Sequence, residues 1–232
     1  MPETAPRDPF ELPDISGLQI AVIGGTGDQG RGLAYRWARA GLSVIIGSRE
    51  AGRAEQAAAE LGLGIRGMAN HEAAAAADVV LIAVPWAGHD ATLTALAAQL
   101  AGKFVIDCVN PLGFDKQGAF LLDVPAGSAT ARAQQLLPDS TVVGAFHNVS
   151  AVELSDKAQD AVAGDVLVIG DRRDATDLVQ ALANAIPGMR GLYAGRLRNA
   201  GQVEGLTANL ISLNRRYRVH ASVGITGVAG QR

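Results

Sequence analysis

The stretch Gly25-Thr26-Gly27-Asp28-Gln29-Gly30, inside AVIGGTGDQGRGL at residues 21–33, restricts the fold more than any other part of the chain. An apolar run precedes it and an amphipathic run follows, so the G-x-G-x-x-G spacing falls at a strand-to-helix turn. In that setting the first glycine permits the tight turn, the second lets backbone approach a pyrophosphate, and the third lets helix close on strand. Amides at the helix start then face the phosphate charge. A second apolar run, SVIIGS at 43–48, completes a βαβ unit, but its end departs from the NAD pattern. Where an acid would bind the adenosine ribose hydroxyls, the chain carries Ser48 and Arg49, with Arg53 one helical turn further on. A hydroxyl and guanidinium forks suit the oxygens of a 2′-phosphate, which a carboxylate would repel. The turn therefore reads as an NADP site, with Glu50 pointing outward.

Beyond this unit, short β-branched runs alternate with longer Ala/Leu-rich segments. That is the pattern of an α/β fold: a Rossmann-like, doubly wound parallel sheet covered on both faces. Strands are expected over 18–24, 43–48, 79–85, 104–109, 141–146 and 165–171. Helices are expected over 28–40, 50–61, 70–77, 87–100, 128–137 and 174–186, with Ser128 as an N-cap and Gly41 and Gly62 at helix C-termini. A last helix over 201–219 carries Val203, Leu206, Leu210, Leu213 and Tyr217 at helical spacing. The organisation predicted is an extension over 1–16 bearing Pro2, Pro6, Pro9 and Pro13, a nucleotide-binding domain over 17–145, and a smaller domain over 146–232 closing a cleft. The Gly- and Pro-rich connection 112–127 is either functional or a plain surface excursion.

Composition narrows the function. With 48% hydrophobic and 19% charged residues among 232, the chain can bury a sizeable core, and a net charge of −3 gives no reason to expect a nucleic-acid partner. Cys108 is the only cysteine, so no intrachain disulfide forms. VVLIAVPWAG and VLVIG fall short of the roughly 20 residues that span a bilayer. Residues 1–16 lack the basic start and apolar run of a signal peptide, and a cytoplasmic location with no membrane partner is expected. His71, His89, His147 and His220 show no ligand spacing with Cys108 or one another, and no metal is predicted. No GxSxG turn and no Ser/His/Asp arrangement offers a nucleophile. From residue 190 onward Arg190, Arg196, Arg198, Arg215, Arg216, Arg218 and Arg232 face one acid, Glu204. They read as a solvated basic helix or as a surface receiving an anionic small molecule. The remaining cleft candidates end later strands: Pro85-Trp86, Asn110-Pro111 and AFHNVSA at 145–151.

Taken together, GGTGDQGRGLAYRWARAGLSVIIGSR, VPW and GAFHNVSA resemble the coenzyme F420-dependent NADP oxidoreductases. The resemblance covers nearly the whole chain from Leu18 and includes GRLRNAGQVEGLTANLISLN at 195–214. It implies two small-molecule redox cofactors, NADP(H) and coenzyme F420, with hydride passing directly and reversibly between their rings. By matched motif, Thr26 joins Ser48, Arg49 and Arg53 at the 2′-phosphate, while Gly25, Gly27, Asp28, Gln29 and Gly30 shape the pyrophosphate turn. Val84, Pro85 and Trp86 border the nicotinamide half. His147 and Val149 line the deazaflavin ring, with His147 positioning it; Asn110 and Pro111 lie on that side, and Leu206 and Thr207 close over it. The NPLG after the fourth predicted strand departs from the more apolar run associated with archaeal members. The apolar last helix suits a homodimer. Two other readings stay open: a different NADPH-dependent reductase, of flavin, ferric or imine type, and a non-catalytic NADP sensor. Imine reductases usually add a large helical domain, for which too few residues follow, and membrane-bound ferric reductases need transmembrane helices.

Overall fold

Chain runs with no polar alternation make the middle of the sheet. In the computed structural model, which describes residues 8–228, β1 (Gln19–Ile23) and β2 (Ser43–Ser48) pair in parallel, and β3 (Arg66–Ala69) follows at the edge. Pro2, Pro6 and Arg232 lie outside the described residues. On the other side of β1 come β4 (Val79–Ile82), β5 (Phe104–Asp107) and β8 (Thr141–Gly144), all parallel. Then β9 (Gly164–Ile169) and β10 (Met189–Gly195), parallel to each other, complete eight strands in the order β10-β9-β8-β5-β4-β1-β2-β3. β9 joins β8 through one antiparallel bridge, Gly144 opposite Ile169, so the sheet carries a seam there. Between β5 and β8, β6 (Leu112–Asp115) and β7 (Gly118–Leu121) form a separate hairpin from the connection the sequence left undecided.

Helices α1 (Asp28–Arg39), α2 (Ala51–Leu61), α6 (Ala151–Ser155) and α7 (Arg173–Asn184) cover one face. On the other lie α3 (Asn70–Ala76), α4 (His89–Leu100) and α5 (Ala129–Leu136). This is a Rossmann-like doubly wound fold. Ser128 caps α5 by accepting the Ala131 amide at 2.9 Å, and Gly41 and Gly62 take positive φ where α1 and α2 end. The strand expected over 79–85 stops at Ile82, because Pro85 has no amide to offer a ladder and the chain turns towards the cleft.

Strand order reverses between β1 and β4: the chain winds towards β3 from one and towards β8 from the other. Ligands of open α/β sheets sit in the crevice beyond the carboxyl ends of the strands at such a point. The expected boundary after residue 145 falls just beyond β8. Past it, β9 and β10 continue the same sheet, and α8 (Ala200–Tyr217) packs against the α5 start and the hairpin.

Two buried charges fix these later elements. Arg36 of α1, 1% exposed, donates to the carbonyls of Glu153, Leu154, Asp156 and Gln159 at 2.7–2.9 Å, closing the end of α6 with a cation. Glu204 of α8, fully buried, accepts the amides of Ala129 and Thr130 at 2.8 and 3.0 Å and the Thr130 hydroxyl at 2.8 Å. A carboxylate at a helix N-terminus satisfies orphan amides and opposes the positive end of the dipole.

The predicted apolar stripe of the last helix is only half buried. Val203 and Leu210 face inward, but Leu213 is 42% and Tyr217 66% exposed, because the second half of α8 runs past the sheet beside the hairpin. Replacing Arg36 with Met should strand four carbonyls and lower stability by about 3 kcal/mol or more. Urea unfolding monitored by circular dichroism checks this; a shift of under one third of that size would mean the α6 end satisfies itself without the guanidinium.

Candidate functional site

The glycine turn does what its spacing predicts, with one glycine more. Gly24, at φ +83°, is the residue whose backbone only glycine adopts easily, and a Cβ there would lie 2.4 Å from the Ala83 carbonyl oxygen. A Cβ on Gly30 would meet the Gly24 carbonyl oxygen at 2.7 Å, so this glycine lets α1 close on β1. Gly27, where a Cβ would be in ordinary contact with the Gly24 carbonyl oxygen at 3.5 Å, caps α1 without a side chain and leaves the first α1 amides free for an anion. Beside the turn, Ser48 ends β2, largely buried, with its Oγ 3.4 Å from the Glu50 amide. Thr26, Arg49 and Arg53 are exposed, and neither arginine has an acidic partner among the described residues.

Next to the turn opens a hollow of about 460 Å³ at the carboxyl ends of β1, β4, β5 and β8. Gly27, Asp28, Gln29, Val84, Pro85, Trp86, Asn110, His147, Val149 and Thr207 line it, together with Ala83, Cys108, Val109 and Ala151. Hollows of about 630 and 690 Å³ flank β10 and the segment around Phe10, but neither contains a residue of the glycine turn. The smaller one sits at the switch point. It is the candidate site.

One wall is the Trp86 turn, a short 3₁₀ segment from Trp86 to Gly88 that precedes α4. The opposite wall is the loop after β8. Phe146 takes φ +64°, a left-handed conformation costing a β-carbon residue about 1–3 kcal/mol, and it is held there by packing and hydrogen bonds. Its ring meets Trp37 edge-on at 5.5 Å, and its carbonyl accepts from Gln29 Nε2 at 3.1 Å. The next carbonyl, of His147, accepts from Asn110 Nδ2 at 2.9 Å and from the Thr207 hydroxyl at 3.0 Å. Asn148 Nδ2 reaches α8 in turn, donating to the Val203 carbonyl and to Thr207 Oγ1, each at 2.9 Å. Side chains from α1, the β5 end and α8 thus grip one strained loop.

The His147 ring is fully buried, with Nε2 3.5 Å from Thr130 Oγ1 and 4.0 Å from Glu204 Oε1, and Nδ1 has no partner. Burial lowers its pKa from 6.5 to about 4, so the imidazole is neutral near pH 7. Burial likewise raises the Glu204 carboxyl, against the hydrogen bonds from Thr130 and Ala129 that favour its ionised form. Cys108, whose thiol burial pushes up, donates to the Ile82 carbonyl and offers no thiolate.

Several sequence expectations land elsewhere. Pro111 is buried behind the hollow, where its carbonyl accepts the Leu122 amide, and Leu206 is half-buried outside the lining. Gly25 and Gly30 lie beneath the turn. Arg190, grouped by sequence with a ligand-facing basic surface, instead holds Asp165 through two bonds of 2.7 Å and ties down the segment around Ile225. Glu204, the acid expected among those arginines, is buried against α5. Arg215, Arg216 and Arg218 do gather, round a hollow of about 550 Å³ beside Phe114 at the hairpin tip. Sequence reasoning missed the Thr130–Glu204 clamp and the buried Asp107 that ends β5. A carboxylate closing the apolar run FVID was the available signal for the second. Among the described residues no group of three or more His, Cys, Asp or Glu is arranged to hold a metal ion, and no helix is long and apolar enough to cross a membrane.

Comparison with known proteins agrees with this geometry. Residues 19–111 match the family described as NADP oxidoreductase, coenzyme F420-dependent. The F420-dependent NADP reductase of Methanothermobacter thermautotrophicus is 40% identical over 226 residues, covering 92% of this chain and 97% of the relative. A solved structure of a proposed F420-dependent NADP reductase from Arthrobacter sp. FB24 superposes with a TM-score of 0.77 at 28% identity, covering 89% of this chain and 98% of that one. The rat metalloreductase STEAP3 is 33% identical over 203 residues, but only 38% of its length is matched.

The neutral, buried His147 carries a pH signature. Its folded pKa lies below the unfolded value, so the stability it contributes is complete above 6.5 and is lost as pH falls towards 4. The loss from this group approaches about 3 kcal/mol. Thermal melts of wild type and His147→Asn between those limits measure it: the wild-type melting temperature should fall more steeply, and parallel slopes would mean that burial does not depress the imidazole pKa.

Proposed function

The chain belongs to the family of coenzyme F420-dependent NADP oxidoreductases, and on that premise we propose that it transfers hydride directly and reversibly between NADP(H) and coenzyme F420 in the switch-point cleft. The single observation that carries this reading is the composition of the cleft. A side-chain-free helix start suited to a pyrophosphate opens into a hollow walled by Trp86, Asn110, His147, Val149 and Thr207, with no activated nucleophile. Such a hollow can align two flat rings and exclude water; it has nothing with which to form a covalent intermediate. When both cofactors are bound, they supply the hydride chemistry between nicotinamide C4 and deazaflavin C5.

The protein's work is then positioning. Thr26, Ser48, Arg49 and Arg53 take the 2′-phosphate, and Gly25, Gly27, Asp28, Gln29 and Gly30 shape the backbone cradle for the pyrophosphate. Val84, Pro85 and Trp86 flank the nicotinamide. Asn110, His147, Val149 and Thr207 line the deazaflavin side, with the neutral His147 ring buried in the wall and Pro111 and Leu206 packed behind it. Reacting atoms must approach to about 3–3.5 Å, so a loop held by three side chains is worth more here than an acid or a base. The residues 146–232 form the smaller unit closing over this cleft, and the unpaired Arg215, Arg216 and Arg218 receive the anionic tail of the deazaflavin cofactor. On the opposite side of α8, exposed Leu213 and Tyr217 support a homodimer contact. Diffusible redox carriers as the only partners fit a cytoplasmic location.

Purified protein mixed with NADPH and oxidised F420 should bleach the deazaflavin absorbance, while NADH with F420, and NADPH with FMN or FAD, should be far slower. Rapid FMN turnover with inert F420 would replace this reading by a flavin reductase. Arg49→Glu should raise the KM for NADPH by about 10- to 100-fold, the worth of a lost charged hydrogen bond plus repulsion, and leave that for NADH nearly unchanged. Equal effects on the two nucleotides would remove Arg49 from the phosphate end.

A further inference from the structure

Behind Trp86 lies a charged assembly that the hydride-transfer reading does not use. His89, the first residue of α4, is fully buried. Its Nε2 is 2.6 Å from Asp107 Oδ2, at the end of β5, and its Nδ1 is 3.1 Å from Asp90 Oδ1. Asp107, also fully buried, uses Oδ1 to accept the amide of Val109, another residue lining the cleft. Asp90 is half exposed and is completed by Arg132 of α5, whose Nε donates to Oδ2 at 2.9 Å. On the cleft side the Trp86 indole lies over the imidazole, centroids 5.2 Å apart and planes tilted by 36°. That separation is within range for an aromatic pair and for a cation over an indole face.

We propose that His89 is a positioning residue: gripped between Asp107 and Asp90, it sets the plane of Trp86 and hence the wall against which the nicotinamide ring is laid. This rests on the reading of the Trp86 side of the cleft as the nicotinamide half.

Three features of the geometry carry it. First, both ring nitrogens face carboxylates, and the ring donates to both only when doubly protonated; a neutral ring leaves one carboxylate facing a lone pair. Second, the cation has no exit to solvent and one aromatic face to lie against, so its charge acts on Trp86 and not on water. Third, Asp107 connects the two walls, since the carboxylate that holds His89 also holds the amide of Val109, next to Asn110. Burial works against the charged ring, but the bonds to Asp107 and Asp90 outweigh it and raise the pKa above 6.5. The grip is therefore complete at neutral pH and released as pH climbs through that raised value. A histidine that served packing alone would need one acceptor, not two carboxylates and an arginine behind them.

The test reads Trp86 directly, in the full-length protein without cofactor. An imidazolium quenches indole emission, so intrinsic fluorescence should rise on alkaline titration, and the step should vanish in Trp86→Phe, which leaves Trp37 as the only indole. Asp90→Asn, at a half-exposed position where folding is retained, should move the midpoint of the step to lower pH. Steady-state kinetics follow: His89→Gln should raise the KM for NADPH by about three- to tenfold with the KM for F420 within about twofold. Wild-type NADPH affinity, by equilibrium titration, should weaken across the same pH step. The proposal is overturned by any of three results: emission flat with pH in wild type, a step that persists in Trp86→Phe, or an Asp90→Asn midpoint that does not move. A His89→Gln protein that loses stability but keeps both KM values would likewise reduce His89 to a structural role. Absence of F420 turnover with these fluorescence changes intact would count against the hydride-transfer reading and leave the Trp86 device standing.

Discussion

One buried carboxylate organises the second half of the site. Among the described residues Glu204 has no Lys or Arg partner; it is held by two amides and a hydroxyl at the start of α5, with the His147 ring 4.0 Å away. Because an unsatisfied buried carboxylate is so costly, α8 has one place to dock. Thr207 lies three residues on from Glu204, nearly one helical turn, so docking the first residue delivers the second to the His147 carbonyl. Asn148 then reaches back to α8 and the loop is pinned from both sides. The site thus arises from a helix-capping interaction whose side chain does not line the hollow.

The glycine turn and the Glu204 clamp solve different problems on either side of the reversal in strand order. Around α1, the chain makes an anion site by leaving things out: Gly27 carries no capping group, so amides stay unpaired until a ligand arrives. Around His147, it makes a ring site by giving the Phe146 and His147 carbonyls protein donors, which leaves a wall shaped by packing with a neutral imidazole buried in it. Phe146 shows the cost of that second solution, since the left-handed backbone there exists only because its neighbours enforce it.

Much of this was legible in the sequence, and the reasons are local. The six predicted strands are all present within a few residues, since β-branched runs buried on both faces have one reading. β3, with the sequence RGMA, lacks that signal; it is a short edge strand made possible by Gly67, where a Cβ would strike the backbone of α2 at 2.2 Å. β10 has glycines at both ends of LYA and reads as a loop. The hairpin emerged from a connection with no periodicity. On the site, ten residues inferred from motifs do line one hollow. Charged residues were misread, because sequence shows their number and not their partners. Arg190 and Glu204 look like a surface pair in a basic tail and are in fact both consumed by internal contacts in different parts of the molecule. His89 and Asp107, 18 positions apart, meet only because β5 follows β4 in the sheet and α4 crosses between them.

Arg36 offers a different lesson. Among the described residues its guanidinium is met by carbonyl dipoles and by no carboxylate. Every acceptor in the joint is backbone, so it depends on the path of the chain from Glu153 to Gln159 and not on the side chains carried there. The segment just past the His147 loop is thereby riveted to the nucleotide-binding half through α1, whichever side chains it presents to solvent. The two walls of the cleft therefore share one frame, with the ring side fastened to the helix that starts at the glycine turn.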